Sequence, residues 1–187
     1  MASPSSYDIG PAATTIICST TGVLANFAFF CMNTTINYIT MPALLLEHPQ
    51  HSTSKAAGSK QPGPPTIPHL NRQWQEVYFG GHKVGPGLAL GAGLAHGCAA
   101  YFAKETAVKW FFGAAAATSI AIVPYTLLVM LSTNDELHER AVSTKEIDGQ
   151  RTLGLIYKWV GMSKTRANIA LLSACFAAVG VITVARG

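Results

Sequence analysis

Polar and apolar positions alternate along this chain on the scale of a lipid bilayer. Four windows are almost free of charge: residues 11–46, 84–103, 110–131 and 165–185. About 20 consecutive apolar residues suffice to cross a membrane as a helix. The pattern therefore predicts an all-α fold, an integral membrane four-helix bundle with two long loops, in one domain over residues 1–187. The first window is too long for one simple crossing. Within it, Thr15, Ser19, Gly22, Asn26, Asn33, Asn37 and Thr40 follow one another at steps of 4, 3, 4, 7, 4 and 3. Those steps keep all seven on one helical face. Lipid cannot satisfy such a stripe, so it must face protein or a water-filled cavity. Hydrogen bonds that only hold the bundle together explain it too. Three asparagines are more polarity than packing requires, which makes Asn33 and Asn37 candidates for binding a substrate. Asn33-Thr-Thr is also a glycosylation sequon, expected to be silent at membrane depth.

The stretches between the windows differ in kind. Residues 48–68 hold five of the ten prolines and read as a flexible insert. A short helix is expected over Arg72–His82, with Trp74 and Tyr78 on one face and Gly80-Gly81 ending it. The second window carries Gly87-x-x-x-Gly91 and Gly93-x-x-x-Gly97. Such pairs allow close helix packing, inside one chain or between copies in a homo-oligomer. His96 lies inside that window, either as a functional group or satisfied by a neighbouring Ser or Thr. The turn from Lys104 to Lys109 makes the second and third spans antiparallel neighbours. Ala114–Ala117 form the thin side of the third span, and Pro124 is expected to kink it. Residues 132–164 read as a solvated loop with a surface helix over Arg151–Trp159.

Composition agrees with a membrane protein. Hydrophobic residues make up 49% and charged residues 12%, where a soluble domain carries about 25% charged. Mean hydropathy is +0.29. No cluster of Lys and Arg points to nucleic acid. The four cysteines contain no C-x-x-C pair and read as small buried hydrophobes. The first ten residues hold no Lys or Arg, so a cleaved signal peptide is not expected. In a four-span arrangement, ten basic residues fall in the two long loops (Lys55, Lys60, Arg72, Lys83, Arg140, Lys145, Arg151, Lys158, Lys164, Arg166). Three fall on the other side (Lys104, Lys109, Arg186). The positive-inside rule then places the long loops in the cytosol, at the endoplasmic reticulum or another endomembrane.

This topology gathers polar groups at one end of the bundle. The hydrophobic run ends at Ser132-Thr133-Asn134, and Arg166 opens the fourth span. Asn37, Trp74, Tyr78 and His82 belong to the same end. Arginine at a helix end either reaches lipid phosphates or, with Asn134, donates to a substrate oxygen as charge develops on it. Trp74 and Tyr78 suit an interface belt or the lining of a pocket.

The run Pro124-Tyr-Thr, then Thr133-Asn134 and Leu137, followed by Trp159 and Arg166, resembles the anthrone oxygenase-like membrane proteins of fungal and bacterial polyketide pathways. Trp74, Tyr78, Gly81, Pro86 and a first span leading to Pro42 fit the same pattern. The resemblance extends from about residue 20 to 185 and omits the Pro/Ser-rich insert. It implies oxidation of an anthrone, an aromatic polyketide, to an anthraquinone by molecular oxygen without a cofactor. No Rossmann fingerprint, haem cysteine motif or carboxylate–histidine metal motif is present, and no metal is expected, although spacing does not reveal histidines brought together from separate segments. On this reading His82 is the general base, with His69 and His138 as rivals. Arg166 and Asn134 hold the oxyanion, and Trp74, Tyr78 and Trp159 flank the rings. Two other readings stay open: a tailoring enzyme for another phenol or carbonyl compound, and a non-catalytic carrier or assembly protein.

Overall fold

A computed structural model describes residues 10–46, 66–143 and 148–186. They are helical almost throughout. The elements are α1 (Pro11–Thr35), a π turn (Ile36–Thr40), α2 (Met41–Leu46), α3 (Ile67–Phe102), α4 (Thr106–Tyr125), a second π turn (Thr126–Met130), α5 (Leu131–Val142) and α6 (Gly149–Arg186). Because each π turn joins two α-segments without a break, the described residues form four continuous helical stretches. Among them, Pro11–Leu45, Thr106–Val142 and Gly149–Arg186 are long and apolar enough to cross a membrane. Glycine and His96 dilute α3, which does not reach that mark.

The helix starts carry local signals. Pro11 opens α1, where its missing N–H costs nothing. Asp148 caps α6: its carboxylate accepts from the Arg151 backbone N–H at 3.1 Å, satisfying a donor that the helix itself leaves over.

Two expectations need correction. Gly80-Gly81 does not end a helix, because α3 runs straight through it. Two glycines cost about 2 kcal/mol of propensity. Buried Trp74 on one side and buried Ala89 and Ala92 on the other hold the flanking turns in place, and an apolar environment leaves the backbone no alternative partners. The expected loop over 132–164 is also mostly helix, since α5 ends at Val142 and α6 begins at Gly149. Its charges occupy one face, while Thr133, Asn134, Leu137 and Ala141 bury the other. The proposed surface helix over Arg151–Trp159 is the first part of α6. The insert over 48–68 lies outside the described residues, apart from its last positions, where α3 begins.

The chain divides into two compact units. The first comprises the chain to Phe30, Pro86–Val123 and the chain from Asn168. Its apolar core joins Ala99, Ala103, Val108, Phe112, Ala115 and Ala177. Small residues let the helices approach closely: a Cβ on Gly93 would stand 2.6 Å from Ile120, and one on Gly180 2.8 Å from Phe112. Gly87, Gly91 and Gly97 meet nothing within 4 Å, so only Gly93 of the two small-residue pairs packs inside the chain. A polar layer crosses this unit. The Asn26 side-chain amide donates to His96 Nε2 at 3.1 Å and to Ser173 Oγ at 2.8 Å. Ser119 donates to Asn26 Oδ1 at 3.1 Å, and Ser173 to the Ala115 carbonyl at 2.7 Å. His96 is thus a buried histidine bonded through Nε2 to an asparagine and not to the expected Ser or Thr.

The second unit comprises Cys31–Gly85 and Pro124–Ala167. Its core joins Met41, Leu70, Trp74, Met130, Leu137, Leu153, Ile156, Trp159 and Met162. Both π turns lie in it.

Candidate functional site

Apart from His96, every residue singled out for chemistry from the sequence falls in the second unit. Asn33 on α1 and Asn37 in the π turn that follows it sit one turn apart and both are buried, as the seven-residue stripe requires. Arg166, on α6, donates from Nη2 to Asn33 Oδ1 at 2.8 Å. Ser163, one turn earlier, donates to the same oxygen at 3.2 Å. The guanidinium is therefore held inside the protein by an asparagine, which is itself held by a serine. It does not reach outward as a headgroup anchor would. Asn33, the acceptor of the sequon, is itself wholly buried and so is closed to glycosylation.

The face of α3 carries Trp74, Tyr78 and His82 at steps of four. Successive rings meet: Trp74 and Tyr78 stack at 5.4 Å, and Tyr78 and His82 at 5.4 Å. His138 of α5 enters this row from the side, 4.6 Å from Tyr78 and 5.1 Å from Trp74. Trp159 of α6 meets Trp74 edge to face at 5.8 Å. Trp74 and Trp159 are almost wholly buried, so their ring faces are covered by protein. Tyr78 is half-buried and His82 exposed, which leaves this end of the row open.

The two histidines differ in their bonding. Gln75 Nε2 lies 3.1 Å from His138 Nδ1. The amide donates there, so neutral His138 carries its proton on Nε2. His82 stacks on Tyr78. His69, the remaining rival, is exposed near the start of α3 and takes no part in the aromatic row. Tyr78 lies before the apolar part of α3. Burial and the Asp135 carboxylate push its phenol pKa up, and the Arg166 guanidinium opposes them. Tyr78 thus stays a neutral phenol with a proton to donate through the neutral pH range.

Asn134 is buried on α5, one turn before His138, with its Oδ1 unpartnered among the described residues. Asn37 also lacks a partner, at both side-chain atoms. These amides sit in or just after the two π turns, which re-aim the side chains around them. Spacing alone did not single out Thr133 or Gln75. Thr133 is buried with its hydroxyl unpartnered, and Gln75 sets the tautomer of His138. Among the described residues, no three His, Cys, Asp or Glu side chains stand together as a metal-holding group. What the arrangement offers is an imidazole at an open edge, a neutral phenol, a half-buried guanidinium and several amide and indole groups among apolar walls. That set can hold an aromatic molecule by its oxygens and move a proton.

Comparison with known proteins points the same way. The chain is 33% identical over 122 residues to a noranthrone monooxygenase of Aspergillus flavus, covering 63% of this chain and 58% of that relative. It is 31% identical over 115 residues to a monooxygenase named hypC of Dothistroma septosporum, covering 58% of this chain and 62% of that one. It is 36% identical over 75 residues to the anthrone oxygenase encC of Aspergillus fumigatus, covering 40% and 41%. The chain thus matches less than two thirds of the length of each of these relatives. No solved structure matches it. The family profile described as anthrone oxygenase matches residues 74–176, more than half of the chain, and that range takes in the aromatic row, both π-turn-proximal residues of α5, and Arg166. On that match, the chain belongs to the anthrone oxygenase family.

Proposed function

We propose that this protein is a membrane oxygenase that converts an anthrone-type polyketide into the corresponding anthraquinone in secondary metabolism. Molecular oxygen is the co-substrate, and no cofactor takes part. One observation carries the reading. The second unit holds a half-buried guanidinium, fixed by Asn33, together with an aromatic row that ends in an exposed imidazole.

The substrate's methylene is acidified by two aryl rings and a carbonyl. His82 takes one of its protons, and the carbonyl becomes an enolate oxygen. Arg166, together with Asn134, stabilises the charge that develops there. Desolvated donors are worth most against such charge. His82 is the better base because the Gln75 bond leaves neutral His138 without a free basic nitrogen. The enolate is electron-rich enough to pass electrons to oxygen and form a carbon–oxygen bond. Loss of the second methylene proton then cleaves the O–O bond. One oxygen atom remains as the new carbonyl, and the other leaves as water with the two hydrogens. Oxygen accepts all four electrons, so the balance needs no reductant. The enzyme would sit in the endoplasmic reticulum or another endomembrane, its long connections in the cytosol, where a soluble synthase releases such substrates.

Membranes containing the protein should form quinone from an anthrone under oxygen and not under nitrogen, faster than the spontaneous background. With isotopically labelled oxygen, one atom should enter the quinone and one the water. His82→Ala should lower turnover by at least about 100-fold, the usual contribution of a positioned base, with expression unchanged. Quinone formation no faster than background would end the proposal.

A further inference from the structure

Each unit places one layer of polar side chains among its apolar ones, and the two layers end differently. In the first unit the layer draws on four helices: Asn26 from α1, His96 from α3, Ser119 from α4 and Ser173 from α6. It closes on itself through the bonds described above, with only His96 Nδ1, which lies against Gly22, left over. In the second unit four helical stretches contribute again: Asn37, Trp74, Asn134 and Trp159. Here the layer does not close. Both side-chain atoms of Asn37, the indole N–H of Trp74, the indole N–H of Trp159 and Asn134 Oδ1 are all buried without a partner among the described residues. Each of these side chains is at most 2% exposed.

Buried indole N–H groups normally find an acceptor, and leaving one unmade costs the full desolvation of the group. With Asn71 Oδ1, Gln73 Oε1 and Thr133 Oγ1 of the same unit, these orphaned groups are too many to attribute to local misfit. Asn37 is the extreme case, since one amide leaves two strong groups unsatisfied. Its position links the others. One turn before it, Asn33 bonds Ser163 and Arg166 of α6. One turn after it, Met41 packs in the same core as Trp74 and Trp159. We propose that Trp74, Trp159 and Asn37 bind the substrate by hydrogen bonds, the two indole N–H groups and the amide engaging its oxygens. They are positioning residues that act through those bonds and not through their ring faces. The proposal deepens the function given above and rests on it for the identity of the ligand.

The test separates the two. The probe is 1,8-dihydroxyanthraquinone, an unreactive product analogue whose visible band reports hydrogen bonding at its oxygens. Binding, turnover of an anthrone and melting temperature are measured in detergent for the unaltered protein, Asn37→Leu and Trp159→Phe. Asn37→Leu removes two unsatisfied groups and keeps the volume, so its melting temperature should hold or rise. Its affinity for the quinone should fall about tenfold or more, as the loss of one good hydrogen bond implies, and KM should rise with it. Trp159→Phe should weaken binding similarly, and Asn37→Leu carries the test if that variant fails to fold. Variants that bind and turn over like the parent would overturn the inference and leave the oxygenase intact. A parent that binds quinone but forms none, with variants that lose binding, would sustain the inference and sink the oxidation. If the parent neither binds nor turns over, both fall.

Discussion

A Cβ on Gly22 would stand 2.6 Å from His96 Nδ1 and closer still to Cε1. No rotamer change relieves that contact cheaply, because the ring is wholly buried and held through Nε2 by Asn26. Gly22→Ala should therefore destabilise the protein by about 1–3 kcal/mol, the usual cost of overpacking. Asn26→Ala should cost a similar about 1–3 kcal/mol for a different reason, since it strips partners from His96, Ser119 and Ser173 at once. Both are measured as a fall in melting temperature in detergent. Both residues lie in the first unit, so quinone affinity per folded molecule should not change. A Gly22→Ala protein as stable as the parent would remove the packing argument. The periodicity of the first span made this position visible, but the reason for glycine was not visible until His96 was placed over it.

The two π turns act at the scale of the element. Each adds a residue to one turn, which rotates everything beyond it by about 100° relative to an uninterrupted α-helix. The first lies between Asn33, which holds Arg166, and Met41, which packs in the core with Trp74. Pro42 follows it directly, and its ring crowds the turn before it while offering no N–H. A widened turn absorbs that misfit. Inserting an alanine after Ile39, which is 65% exposed, would place Met41 five residues after Asn37. Five α-helical residues turn the chain by about 140°, so Met41 and Asn37 could then no longer both face inward. Helical content by circular dichroism should stay the same, while anthrone turnover should fall more than about tenfold, the consequence of misplacing a positioned group. Turnover retained after the insertion would show that the register does not matter. A π turn has no signature in hydrophobic periodicity, and here only the neighbouring proline hinted at one.

For the molecule as a whole, the proposed orientation in the membrane rests on charge. By the positive-inside rule, ten basic residues against three would place the connections after α2 and α5 in the cytosol. In sealed microsomes, trypsin added outside should cut at Lys55 or Lys60 without detergent. Protection of both sites until detergent is added would reverse the orientation and place the substrate's entry on the lumenal side.

The sequence by itself determined the class of this protein and the faces of its helices. Bilayer-length apolar windows, a polar stripe at helical steps and the run into Ser132-Thr133-Asn134 are local patterns, and helix geometry alone turns them into buried faces. The residues brought into the second unit, Asn33, Asn37, Trp74, Tyr78, His82, Asn134, Trp159 and Arg166, were all readable in that way. Their roles were not. That Trp159 meets Trp74 edge to face while both N–H groups stay unmet among the described residues, that Gln75 fixes the tautomer of His138, and that Arg166 turns to Asn33 and not to lipid are matters of which helices meet. The continuity of α3 through Gly80-Gly81 has the same origin. Local propensity favours a break there by about 2 kcal/mol, and only the packing of the turns on either side outweighs it. A hydrogen bond between residues 133 positions apart, such as the one from Arg166 to Asn33, exists only once the chain has folded back on itself, and no periodicity along the chain encodes it.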